Sequence, residues 1–209
     1  MNLVVFGATG GTGRALVKQA LGHGHTVRAF VRVPDRLKVI HHRLEVVQGD
    51  ITDKKAVAEA IRGQEAVLSA LGVNDRKPNT VLSDGVRNIL ASMKKQKVRR
   101  LIFVSSLGVG DSEGQLGPLY NWILLPALLK NIFADKEKAE ELIREAALDW
   151  TIVRPGALTS GRLTAKYQTG ADAAKRKLRP RISRADVADF MLHILERNEQ
   201  IGQTPAIRY

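Results

Sequence analysis

The chain has no cysteine among its 209 residues. A disulfide framework, a thiolate zinc site and a cysteine nucleophile are therefore excluded. A long apolar run is missing too. The longest, Trp122-Ile123-Leu124-Leu125-Pro126-Ala127-Leu128-Leu129, is broken by Pro126 and falls far short of the roughly 20 residues that a membrane-spanning helix needs. No charged leader with an apolar core precedes the first glycines, because Met1-Asn2-Leu3-Val4-Val5-Phe6 runs straight into them; with the missing cysteines, this predicts a cytoplasmic protein. The histidines His23, His25, His41, His42 and His193 form neither a His-x-x-x-His nor a His-Glu-x-x-His pair, so no metal site is expected. A Gly-x-Ser-x-Gly elbow after a strand is absent, which sets aside Ser-His-Asp hydrolysis. Acidic residues are outnumbered, 21 against 33 Lys and Arg, leaving a net charge of +12. That excess draws anionic ligands, and by itself it equally supports non-specific nucleic-acid binding.

What is present is an alternation. Apolar runs at Leu3 to Phe6, Val27 to Val31, Leu44 to Val47, Ala66 to Ala70, Leu101 to Val104 and Trp150 to Val153 read as strands. Between them, Thr12 to Leu21, Asp53 to Ile61, Thr80 to Lys95 and Asp135 to Ala147 carry apolar residues at helical spacing. Continuous apolar strands alternating with helices predict an α/β fold, a doubly wound, mostly parallel sheet with helices on both faces. Asp53 is placed to cap its helix, and Ser183 with Asp186 resembles a capping box for a last helix from about Arg184 to Glu196. The tail Thr204-Pro205-Ala206-Ile207-Arg208-Tyr209 adds a candidate edge strand, where Pro is tolerated. With no repeat or linker visible, we expect a single domain over 1–209 with small C-terminal elements on the substrate side.

The first strand ends on Gly7-Ala8-Thr9-Gly10-Gly11-Thr12-Gly13. Strand, glycine turn and helix in that order make a phosphate cradle: a turn with positive backbone torsion, bare backbone near the phosphates, and a helix end offering free amides. The spacing of three between Gly7, Gly10 and Gly13 differs from the Gly-x-Gly-x-x-Gly of many dehydrogenases, but the physical demands are the same. About 20 residues on, where an acidic side chain would hold the ribose hydroxyls of NAD, stands Arg32. A guanidinium there suits the 2′-phosphate of NADP(H), with Arg28 and Arg36 as neighbours for the same work, while Asp35 keeps NAD open. The third and fourth strands lead into Gly49-Asp50-Ile51 and Ala70-Leu71-Gly72, both at the carboxyl edge where ligands dock. Asp50 either faces the adenine or merely forms a turn, and Gly72 either makes room for cofactor or is a loop glycine.

The glycine turn, Val31-Arg32, Gly49-Asp50-Ile51, Val104-Ser105-Ser106 and Thr151-Ile152-Val153-Arg154-Pro155-Gly156 together resemble an atypical short-chain dehydrogenase/reductase over the whole chain. Within that superfamily the chain is most similar to the biliverdin-IXβ reductase and NADPH-dependent flavin reductase family. The more specific segments are Pro78-Asn79-Thr80-Val81-Leu82-Ser83-Asp84-Gly85-Val86-Arg87-Asn88-Ile89 and Ile182-Ser183-Arg184-Ala185-Asp186-Val187-Ala188-Asp189-Phe190-Met191-Leu192. The resemblance implies that Ser106 faces the nicotinamide and substrate, with Ser105, Pro155 and Gly156 bordering the cofactor. Most of the superfamily carries Tyr-x-x-x-Lys, the lysine lowering the tyrosine pKa. Counting back from Lys136, the tyrosine position holds Ile132. Ketone or alcohol chemistry driven by tyrosine is therefore not expected, whereas flavin and linear-tetrapyrrole reduction, which need stacking and a solvent proton, stay open. Lys136 either contacts the cofactor ribose or an anionic substrate, or is an exposed helix lysine.

The connection from Leu107 to Asn131, with Tyr120 and Trp122, is a lid or a packed helix. Two basic clusters, Lys94 to Arg100 and Lys175 to Arg181, read as a solvated helix end and as a steering patch for anionic substrates respectively. The expectation is an NADPH-dependent reductase of a flavin or tetrapyrrole, monomeric or weakly dimeric. Its rivals are an NADP(H)-sensing regulator of the NmrA-like type and a nucleic-acid binder.

Overall fold

The computed structural model describes residues 1–72, 80–112, 130–170, 173 and 180–209. Strands β1 (Asn2–Phe6), β2 (Thr26–Val31), β3 (Leu44–Gln48), β4 (Ala66–Ser69), β5 (Arg100–Val104) and β6 (Asp149–Pro155) alternate with helices α1 (Gly11–Gly22), α2 (Lys54–Ile61), α3 (Val81–Gln96) and α4 (Lys130–Arg144). Beyond them come β7 (Ala157–Thr159), β8 (Gln168–Thr169), β9 (Arg181–Ser183), α5 (Arg184–Glu196) and β10 (Ala206–Arg208). The main sheet has eight strands in the order β3-β2-β1-β4-β5-β6-β10-β8, and a separate pair joins β7 to β9. Strands β1 to β6 are mutually parallel, so the expected doubly wound Rossmann-type sheet is present.

The two faces follow from side-chain alternation in the central strand. Leu3 and Val5 of β1 join one core cluster with Leu16, Val17 and Ala20 of α1 and Val187, Met191 and Leu192 of α5. Val4 and Phe6 join another with Val57 and Ile61 of α2, Val86 and Ile89 of α3, and Ala139 and Ile143 of α4. A strand buried on both sides needs an unbroken apolar run, which is why β1, β4 and β5 are so plain in the sequence.

Three expectations shift. The tail strand β10 is not an edge: it lies between β6, to which it is parallel, and the two-residue antiparallel β8, which takes the edge instead. Helix α4 already runs at Lys130, ahead of Asp135. Asp135 does not start its own helix; its buried carboxylate accepts from the backbone N–H groups of Leu82 (2.9 Å) and Ser83 (3.1 Å), capping α3 from a neighbouring element. The Ser183 hydroxyl does accept from Asp186 N at 2.9 Å, but Asp186 does not complete a capping box. Its carboxylate accepts from the N–H groups of Thr164 and Ala165, each at 2.8 Å, and from Tyr209, tying the stretch after β7 to the start of α5. The segment Pro78-Asn79, the basic residues Lys175 to Arg179, and all of the 107–131 connection from residue 113 to 129, with Tyr120 and Trp122, lie outside the described residues.

Because Asp135 supplies two amide partners at the only described side-chain cap of α3, Asp135→Ala is expected to lower stability by about 1–2 kcal/mol, read from the urea midpoint at constant slope. Asp135→Asn, which keeps one acceptor, recovers part of that loss.

Candidate dinucleotide site

The site is assembled at the carboxyl edge of β1, β4, β5 and β6. Gly7 follows β1 with φ of 76°, and a Cβ there would sit 2.5 Å from the Ala70 carbonyl oxygen. On Gly13 a Cβ would come within 2.1 Å of the Gly7 oxygen. Both glycines are thus required by close packing of β1, β4 and α1. Gly10 is the N-cap of α1, and it offers no side-chain cap, nor is any acidic residue in the first turn. This contrasts with α2, capped by Asp53, and α5, capped by Ser183. The exposed Gly10 and Gly11, with Thr9 half-buried and Thr12 buried beside them, leave the positive end of α1 open to an anion.

Arg32 lies exposed just past β2. Among the described residues its guanidinium has no ion pair or hydrogen bond; its field reaches Asp50. Arg28 is different. Its guanidinium binds Glu45 at 2.7 Å and the carbonyls of Glu59, Ala60 and Arg62 at 3.3, 3.1 and 2.8 Å. It closes the end of α2, and is removed from the phosphate-binding candidates. Arg36 sits exposed in the short turn Pro34–Arg36 together with Asp35.

Asp50 accepts from the hydroxyl and amide of Thr52 at 2.7 and 2.9 Å. The Thr52 hydroxyl, more than Arg32, holds its carboxyl below the usual range. The turn role of Asp50 is therefore filled. Ile51 is buried against α3, where a Cβ on Gly85 would fall 2.4 Å from its Cγ1, and its carbonyl takes Asn88 Nδ2 at 3.0 Å. Ala70 and Leu71 are half-buried; Gly72 is exposed, with nothing within 4 Å of a would-be Cβ.

At the end of β5, Ser105 is buried and its hydroxyl has no hydrogen-bond partner among the described residues, and the same holds for Ser69 at the end of β4. Ser106 is half-buried, its hydroxyl only loosely donating to the Leu107 carbonyl at 3.3 Å. Lys136 is not a solvated helix lysine: its Nζ donates to the Ser105 carbonyl at 3.0 Å. Burial pushes its ammonium down to about 8, against the opposing field of Glu140. Glu140 in turn faces the buried Arg154, Nε to Oε1 at 3.2 Å, and Arg154 also binds Asp111 at 2.6 Å. Arg154 therefore belongs to an internal network with Glu140 and Asp111. Pro155 receives the Leu107 amide on its carbonyl at 2.9 Å. Gly156 is bare because a Cβ would meet the Pro180 carbonyl oxygen at 2.7 Å, a packing demand of its own.

Sequence reasoning missed Arg184. Its side chain lies across the glycine turn, so that a Cβ on Gly11 would be 2.4 Å from Arg184 Cδ. Its guanidinium reaches only Ser160, at 3.4 Å, and no carboxylate among the described residues. A cation placed at the amino ends of both α1 and α5 is at the wrong pole of each helix unless an anion joins them. The only signal was its place in the last family-like segment.

Among the described residues the site fits a dinucleotide: an uncapped helix end, an arginine one strand over without a partner, open space at Gly72 and an orphaned buried hydroxyl at Ser105. Fold and site define a Rossmann-type dinucleotide-binding protein. Residues 7–198 match the family described as NAD(P)H-binding, and the chain belongs to that family. It is 28% identical over 214 residues to the oxidoreductase aflX of Aspergillus parasiticus, covering 94% of this chain and 78% of that protein. Among solved structures, ChuY, an anaerobilin reductase from Escherichia coli O157:H7, superposes with a TM-score of 0.83 at 25% identity, covering 100% of this chain and 97% of that one. A short-chain dehydrogenase/reductase of Veillonella parvula in complex with NADP has the same fold, with a TM-score of 0.81 at 18% identity, covering 100% and 94%. No helix among the described residues is long and apolar enough to cross a membrane.

Lys136 gives a pH test. With the folded-state value near 8 and the ordinary one at 10.5, the unfolded chain binds the extra proton between those limits, so this group makes stability rise with pH across that window. Urea denaturation at several pH values between 7.5 and 10.5 should therefore show a steeper rise for the wild type than for Lys136→Met. Parallel profiles would contradict the burial of the ammonium.

Proposed function

We propose that the chain is an NADPH-dependent reductase that delivers hydride to a flavin or a linear tetrapyrrole, an anionic and planar acceptor. The observation that carries this reading is Ile132, one helical turn before Lys136 on α4. No phenol stands where the parent superfamily keeps its acid, and the described tyrosines Tyr167 and Tyr209 are hydrogen-bonded to Asp189 and Asp186. An acceptor reduced here must spread the incoming charge over a conjugated system and take its proton from water or a nearby hydroxyl. The similarity to ChuY, an anaerobilin reductase, supports the same class of acceptor.

The chain's own residues divide the work. The α1 amides of Gly11 and Thr12 and the Arg184 guanidinium hold the pyrophosphate, and Arg32 takes the 2′-phosphate. Gly72 leaves room for the cofactor backbone, and Ser105, Pro155 and Gly156 wall its nicotinamide end. When bound, the reduced nicotinamide supplies hydride. Ser106, whose hydroxyl is only weakly engaged, orients the acceptor by donating to a carbonyl. Lys136 acts as a positioning residue, fixing the Ser105 carbonyl and so the backbone that carries Ser106.

Two measurements test this. Stopped-flow absorbance should show NADPH oxidation with FMN or biliverdin; inertness towards both alongside tight NADPH binding would overturn the catalytic reading in favour of a sensor. In fluorescence titrations, Arg32→Asp should weaken NADPH about 10- to 100-fold, as expected for loss of a charged hydrogen-bonded contact, while sparing or improving NADH. An equal loss for both cofactors would show that Arg32 does not read the extra phosphate.

A further inference from the structure

The carboxyl ends of α1 and α5 meet at the amino edge of the sheet, the side away from the glycine turn. His23 is the C-cap of α1, His25 follows two residues later, and Glu196 is the last residue of α5. His23 Nδ1 and His25 Nε2 each lie 2.9 Å from the same Glu196 Oε1. These three donor atoms all fall within 4.8 Å of one another. We propose that His23, His25 and Glu196 form a binding site for a divalent transition-metal ion of the zinc class.

The chemistry of the donors selects the ion. Two imidazole nitrogens and one carboxylate oxygen suit Zn²⁺, Ni²⁺ or Cu²⁺, whereas Mg²⁺ and Ca²⁺ call for oxygen donors. Tetrahedral zinc with bonds of about 2.0–2.1 Å separates its ligands by roughly 3.3 Å, so the present 2.9 Å spacings need to open by only a few tenths of an ångström. The ion replaces the two ring protons now shared with Glu196, and each imidazole keeps its remaining proton on the other nitrogen. For exposed His23 that proton meets solvent. For His25, which is buried, the other nitrogen is Nδ1, 3.4 Å from the Met1 nitrogen.

The surroundings are suited to one added cation. Each helix end carries about half a negative charge, and α1 has no Lys or Arg in its last turn. Arg43 answers the carbonyls of Leu21 and Gly24 at 3.1 and 3.0 Å, which leaves the Glu196 carboxylate as the anionic donor for the ion. Three protein ligands leave a fourth position for water. Since His25 and Glu196 are 171 residues apart, the ion would staple the α1–β2 turn to the end of the last helix without touching the cofactor.

The test uses the untagged full chain, freed of metal with EDTA and titrated with zinc chloride by calorimetry. One-to-one saturable binding is expected, weakened at least tenfold in His23→Ala and in Glu196→Gln, with the melting temperature of the wild type raised by about 5–10 °C at zinc 100-fold above Kd. A double His41→Asn/His42→Asn variant, removing the stacked pair whose rings lie 4.4 Å apart, should bind zinc normally. NADPH affinity should be the same in all variants. No saturable binding by the wild type, undiminished binding by folded His23→Ala, or loss only in the His41/His42 variant would each overturn the proposal. His23 is exposed, so its replacement keeps the test sound even where Glu196→Gln weakens folding.

Discussion

The close approach of three backbone segments at the end of β1 governs the rest of the structure. Gly13 lies so near the Gly7 carbonyl, and Gly7 so near that of Ala70, that a methyl group on either would fall 2.1 or 2.5 Å from an oxygen. Tight packing brings α1 against β1 and β4, and the same tightness leaves no side chain to cap the helix. The amides at its amino end therefore need a partner from outside the chain. The glycines are in this sense packing residues first. The binding role we propose for them follows from what packing leaves uncovered, at the point where strand order reverses between β1 and β4.

How much of this could be read from residues alone depended on the range of the interaction. Buried parallel strands write themselves as apolar runs, so β1 to β6 were legible, and the α1, α2, α3 and α5 boundaries fell within a few residues because caps such as Asp53 and Ser183 are local. Strands of two or three residues, β7 to β9, carry no period and were invisible. Asp135 misled for a related reason: an aspartate ahead of an apolar period looks like a cap for its own helix, yet its carboxylate serves α3, 53 residues back. At the site, Arg32 stood out by its distance from the glycines, whereas Arg28 had to be seen bonded to the end of α2 before it could be separated from it. Arg184 and the His23, His25 and Glu196 group depend on contacts between the first and last helices, which no local spacing encodes.

The lysine on α4 shows how a motif can lose one member and keep a structural use for the other. With isoleucine at 132, Lys136 has no tyrosine to tune, but its bond to the Ser105 carbonyl still fixes the turn after β5. Burial lowers its ammonium to about 8, and the residue one turn on, Glu140, is already held by Arg154. The ammonium thus sits among groups that are satisfied elsewhere, which suits a clamp better than a proton donor.

The large positive charge also changes meaning once its members are placed. Arg28 and Arg43 bind carbonyls at the ends of α2 and α1. Arg100, buried and with its guanidinium pushed down to about 10, reaches the carbonyls of Asp149 and Glu199 at 2.8 and 3.0 Å. Arg154 is enclosed with Glu140. The guanidiniums of Arg28, Arg43 and Arg100 thus bind backbone oxygens left without partners at the ends of secondary elements. Arg184 lies against the uncapped start of α1 and Arg32 just past β2, and neither has a carboxylate in hydrogen-bonding reach among the described residues. A cation at a positive helix pole repels it unless an anion lies between them, so Arg184 beside the glycine turn is the part of the charge that fits the proposed phosphate site.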